Sequence, residues 1–224
     1  MTSNEYTFYY TKGAKDAARD AAFVRLEGFP DLTQIYTSPD LFPLFSNRLI
    51  PQTRSDYEQN LRWLGLEPQA GPMAILLRGG GQRATDTLQI FPLPEPTSDG
   101  KYVLYFFAHG LRHIPGAVEA ASKLSVGAEL RIESEPSNPA DALALKLLDG
   151  LVCVGYCPRF FTEDLHKLRE LGATPRAFVA RVNDESAPIQ WRLLCKVVAE
   201  WRSGFQPLTG RQFQPITSKQ PRTA

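Results

Sequence analysis

The sequence predicts an α+β protein of two domains: a small mixed domain at the N-terminus, then a compact barrel-like β domain with two short helices. Three observations predict it. The stretch Pro92 to Gly100 holds Pro92, Pro94 and Pro96, which disfavour both helix and central strand and so mark a boundary. Beyond it, short apolar runs recur with turn residues at regular spacing, the pattern of a small β domain. Before it, an aromatic strand-like run is followed by one clear helical period. The domains expected are 1–95 and 96–202, with a tail, 203–224, rich in Gln, Pro, Thr and Ser that ends in disorder.

Taken in order, Tyr6-Thr7-Phe8-Tyr9-Tyr10 is aromatic and β-branched and reads as a strand ended by Lys12-Gly13. Ser38-Pro39-Asp40 opens a short helical or irregular apolar segment through Phe45. Asp56 precedes a helix in which Tyr57, Leu61 and Leu64 share a face, with Gly65 at its end. Ala74 to Leu77 is an apolar run broken by a glycine turn, and Thr87 to Phe91 reads as a further strand. In the second domain, strands are expected at 102–109, 129–135, 142–147, 152–156, 177–182 and 189–198. Helices are expected at 117–124 and 162–171.

Composition narrows the function. Of 224 residues, 25 are Lys or Arg and 24 Asp or Glu, so bulk charge alone cannot attract a polyanion. The charge is uneven: residues 1–98 sum to −2 and residues 99–224 to +3, with no acid after Glu200, which points any anion-binding surface toward the second domain. No apolar run reaches the roughly 20 residues that cross a bilayer, and the first five residues do not resemble a secretory leader. Three cysteines, Cys153, Cys157 and Cys195, fit free thiols in a reducing cytoplasm better than a disulfide framework.

Catalytic motifs are missing from the pattern. Gly79-Gly80-Gly81 is followed by Gln82-Arg83 rather than the Lys-Ser or Lys-Thr of a phosphate-binding loop, so it reads as a tight turn. No histidine stands near a nucleophile elbow or a zinc-protease helix, and His109, His113, Cys153 and Cys157 match no zinc spacing. No enzyme activity, cofactor or metal is expected. The informative stretch is 109–160. Glu135-Pro136-Ser137-Asn138-Pro139-Ala140-Asp141 is a turn built from Asx side chains and fixed proline φ angles, and it sets Asp141 at a defined loop edge. Gly155-Tyr156 ends the next strand and Pro158-Arg159 turns into a helix. Arg112, His113, Asp141, Tyr156 and Arg159 therefore all stand at strand–loop junctions, where two cations, a carboxylate and two rings can converge.

That order resembles the HIRAN domain, a small β-barrel module of the OB or SH3-like kind found in bacterial proteins and in helicase-like remodelling factors. The resemblance covers roughly 100–175, through Gly110-Leu111-Arg112, the Glu-Pro-x-Asn-Pro-x-Asp turn and Gly155-Tyr156-Cys157-Pro158-Arg159. It implies DNA binding, with capture of the 3′ end of a single strand. Residue by residue, Arg112 would contact a backbone phosphate, and His113 would stack on or bond to the terminal nucleotide. Asp141 would accept from the 3′-hydroxyl, Tyr156 would offer a ring face to a base, and Arg159 would hold the next phosphate. The chain departs from the family in having His113 where many members carry an aromatic residue and Ala140 where many carry Tyr, which removes a stacking platform. Residues 5–93 resemble the N-terminal subdomain of HipA-type kinases, through the aromatic opening run, Leu41 to Pro51, Arg54 and its helix, and the glycine turn. The catalytic core of those kinases has no counterpart here, so this second resemblance implies a protein-interaction module, a partner of a separate kinase core.

Overall fold

The structure is a computed structural model that describes residues 5–19, 23–83 and 86–216. The end of the tail expected to be disordered, 217–224, lies outside the described residues.

The N-terminal part is held by rings more than by ladders. β1 (Tyr6–Phe8) pairs antiparallel with β2 (Tyr36–Ser38), so that Phe8 faces Tyr36. The expected strand stops short because Thr11 bridges Pro215 of the tail and α1 (Lys12–Ala17) begins there. Phe29, buried in an irregular segment, touches Phe8 at 3.9 Å between ring centroids and Tyr36 and Phe42 at 5.1 Å. The Tyr10 hydroxyl donates to the Phe29 carbonyl (3.0 Å) and accepts from the Leu26 amide (2.8 Å), so one side chain replaces a strand's worth of local pairing. The short apolar segment forms α2 (Pro43–Ser46), started by its proline. α3 (Tyr57–Leu64) buries Leu61 and Leu64 as its period predicts.

Two expectations fail in this part. The run before the glycines is helical, α4 (Pro72–Gly79), with Pro72 in its first turn. Thr87 to Phe91 is not a strand. It has no neighbouring ladder to join: the Ile90 amide donates to the Gly80 carbonyl (2.8 Å), and Phe91 lies flat on Phe160 at 4.1 Å.

Residues 101–200 form a six-stranded antiparallel sheet in the order β3 (Lys101–Phe107), β8 (Leu193–Glu200), β7 (Arg176–Val182), β4 (Glu129–Ser134), β5 (Leu145–Asp149), β6 (Val152–Tyr156). Tyr102, Leu104 and Phe106 alternate inward along β3 while Lys101, Val103 and Tyr105 face outward. α5 (Ala117–Ser122) and α6 (Arg159–Glu170) correspond to the two expected helices, and Phe161, Leu165 and Leu168 of α6 enter the core.

The sheet is open, which corrects the expected barrel. Its edge strands meet at a single bridge, where His109 and Tyr156 exchange two backbone bonds of 2.9 Å. The ladder cannot continue, because the Cys157 amide is taken by Leu145 (2.9 Å) and Pro158 has no N–H. All three cysteines are free.

The two parts pack against each other. Leu64 lies with Phe107 and Leu194, and the buried Asn183 amide donates to the carbonyls of Trp63 (2.8 Å) and Trp191 (2.6 Å). The described part of the tail is ordered: Phe205 is in the core, the Leu208 amide donates to Asp164 Oδ1 (2.9 Å), and the Lys12 amide donates to the Gln214 carbonyl (2.7 Å).

Candidate functional site

The turn before β5 is stapled by its own side chains. Asn138 Oδ1 accepts from the amides of Ala140 (2.9 Å) and Asp141 (3.2 Å), and Asp141 Oδ1 accepts from Leu143 (2.9 Å). This is the Asx geometry that the sequence predicts, and it leaves Asp141 Oδ2 to face outward. Arg159 Nε stands 3.7 Å from that oxygen, with its side chain 81% exposed against 17% for Asp141. An anchored carboxylate thus sits beside a cation that is free to move.

Glu135 ties the turn to the sheet. Its Oε1 takes Lys146 Nζ (2.6 Å), while Oε2 accepts from Asn138 Nδ2 (2.7 Å) and the Tyr156 hydroxyl (2.8 Å). Lys146 and Tyr156 are direct cross-strand partners between β5 and β6, which delivers both to one carboxylate. These bonds, Lys146 first, pull the Glu135 pKa down to about 2. Burial and then Glu135 push the Tyr156 pKa up to about 12, so its hydroxyl stays protonated. Glu135 is the residue that sequence reasoning missed as a functional support. It was visible only as the first letter of a turn motif, and its partners lie on strands that the motif does not show.

The Tyr156 ring is held from above by Gly110. A Cβ there would stand 3.1 Å from Tyr156 Cδ2, and the backbone φ of +81° suits glycine alone. Gly155 is as constrained: its φ is +138°, and a Cβ would lie 2.9 Å from Ala108 and 3.0 Å from the His109 carbonyl. Both glycines let β6 approach the end of β3. Directly after Gly110 comes the 3₁₀ turn Leu111–His113, which buries Leu111 and turns Arg112 and His113 to solvent.

The five expected residues therefore fall into two groups. Asp141 and Arg159 touch, and Tyr156 is linked to their turn through Glu135. Arg112 and His113 border a separate cleft of about 630 Å³ with His109, Gln82 and Arg83, and make no side-chain hydrogen bond or ion pair among the described residues. His109 keeps solvent contact, yet crowding by protein atoms lowers its pKa and favours the neutral ring. Among the described residues, no group of three or more His, Cys, Asp or Glu is placed to hold a metal ion, and no helix is long and apolar enough to cross a membrane. Burial raises the Cys157 thiol to about 12 and Cys195 higher still, which leaves both unreactive.

No curated protein matches the chain. Two solved structures are similar to part of it. One, a protein from Lactobacillus plantarum, is 17% identical with a TM-score of 0.37 and covers 45% of this chain and 97% of its own. The other, the HIRAN domain of human HLTF, is 16% identical with a TM-score of 0.33 and covers 46% of this chain and 79% of its own. Residues 101–202 match the HIRAN domain family. The match begins after the proline-rich stretch, and nothing in the comparisons supports the resemblance of residues 5–93 to HipA-type kinases. By that match, the segment that carries the six-stranded sheet and all five residues singled out above is a HIRAN domain.

Proposed function

We propose that the chain binds DNA without catalysis, through its HIRAN segment, and prefers single strands or exposed 3′ ends. The observation that carries this reading is the pairing of a fixed acceptor with a mobile cation: Asp141 beside Arg159, on a turn locked by Asn138 and Glu135. Asp141 Oδ2 can accept from a terminal hydroxyl, while Oδ1 remains committed to Leu143. Arg159 can swing to the adjacent phosphate, because its side chain is largely in water. The exposed edge of Tyr156, and Arg112 and His113 beyond Gly110, extend the binding surface along the strand. Stacking of a base on such a ring contributes about 1–3 kcal/mol.

Fluorescence anisotropy with short single strands ending in 3′-hydroxyl or 3′-phosphate tests it. The hydroxyl end should bind at least tenfold tighter, because a terminal phosphate places a second anion against Asp141. Asp141→Ala should abolish that preference. Equal affinity for both ends, or for duplex and single strand, rejects end capture. Cleavage of the oligonucleotide in magnesium would reject the non-catalytic part.

A further inference from the structure

The N-terminal part supplies a wall that the HIRAN match does not include. Two clefts adjoin at Gln82, His109 and Gln190, which line both. One wall is the end of α4 with the glycine turn, which brings Arg78, Gln82 and Arg83. The other is the end of β3 and the 3₁₀ turn, which bring Tyr105, His109, Arg112 and His113. No Asp or Glu lines either cleft. The cations are not neutralised from elsewhere on the wall: Arg78 lies over the Tyr105 ring at 4.4 Å, Lys196 reaches the same ring at 5.6 Å, and neither has a carboxylate partner among the described residues.

The opposite side of the 3₁₀ turn has the reverse character. There, Arg112 borders a cleft lined by Glu119, Asp184 and Glu185. A polyanion that reaches Arg112 is therefore favoured toward the glycine turn and opposed toward Asp184. Arginines, rings and neutral amides along an acid-free groove are what a single strand requires: cations for its phosphates, π-faces for its bases, and amides that bond to base edges without selecting one.

Resting on the function proposed above, we infer that a DNA strand entering from the captured end runs on through this groove, so that Gln82 and Arg83 of the N-terminal part bind its phosphates. The glycine turn, which lacks the lysine of a nucleotide-binding loop, serves as one bank of a polynucleotide track. Gln82 and Arg83 are exposed, so changing them leaves the core untouched.

The test uses the full chain and 5′-labelled oligothymidylates of about 4 and about 16 nucleotides, both ending in 3′-hydroxyl, with Gln82→Glu/Arg83→Glu and the control Glu119→Gln. Wild type should bind the longer strand at least tenfold tighter. The double variant should lose that gain, keep its affinity for the shorter strand, and show a salt slope on the longer strand shallower by about 0.7 for each phosphate that the variant no longer neutralises. The control should match wild type. Equal affinity of the double variant and wild type for the longer strand overturns the groove, and so does a wild type blind to length. Loss of 3′-end preference with the length effect intact overturns end capture alone, and no binding of either strand overturns both.

Discussion

Phe29 in the N-terminal part and Phe161 in the HIRAN segment are equally buried, each 1% exposed. Phe161 lies on a helix whose inward face packs over an antiparallel sheet, against Phe106 at 4.8 Å, so regular elements position it. Phe29 lies on no regular element, and its place is set by other rings and by one tyrosine hydroxyl bonded to its own carbonyl. The first kind of order comes from periodic sequence and the second from particular side chains at long range. On this contrast the sheet carries the stability of the site, while the N-terminal part contributes surface.

Phe161→Ala should have the largest effect, a loss of about 3–5 kcal/mol in urea unfolding with collapse of 3′-end binding. Phe29→Ala should cost a similar amount within the N-terminal part but leave affinity for a four-nucleotide end within about twofold. If it removes that affinity as Phe161→Ala does, the two parts unfold as one and the contrast fails. The joint between them is Asn183, and Asn183→Ala leaves two carbonyls without their donor, at a cost of about 1–3 kcal/mol.

A smaller effect sharpens the comparison through pH. Burial raises the Asp164 pKa from 3.8 to about 6, and its Oδ2 has no hydrogen-bond partner among the described residues. The folded state therefore holds the proton more tightly than the unfolded chain. Asp164 favours folding below about pH 4, and this contribution is lost as pH rises toward 6. Relative to wild type, Asp164→Asn should gain on the order of 2 kcal/mol by pH 7 and little at pH 4, measured as urea midpoints. Smallest is Tyr156→Phe. It removes one bond to Glu135, costs about 1 kcal/mol, and allows the Glu135 pKa to rise from about 2. Glu135 stabilises above its unfolded value near 4.5, so the acid loss should begin at higher pH in that variant.

Legibility followed the same division. The alternation in Lys101–Phe107, the period of Tyr57–Leu64 and the strand Val152–Tyr156 could be read directly, because each element's own spacing decides it. Thr87–Phe91 has a strand's composition and no strand beside it, which only the tertiary structure decides. Sheet closure was misread for a related reason: sequence shows strands but not that Cys157 would spend its amide on Leu145. At the site, the Asx turn and Asp141 were legible because their bonds are local. The grip of Glu135 on Lys146 and Tyr156, and the Gln82–Arg83 bank facing Arg112, join residues distant in the chain and leave no spacing to read.

The ordered tail redraws where the sheet's core ends. The family match stops at Arg202, but Phe205 fills the core beside Tyr102 and Trp201, and Leu208 supplies the amide that Asp164 uses. A fragment excised at Arg202 would expose an aromatic socket and strand a buried carboxylate. The smallest self-sufficient piece therefore extends past the homology, at least to the residue whose amide closes that lid.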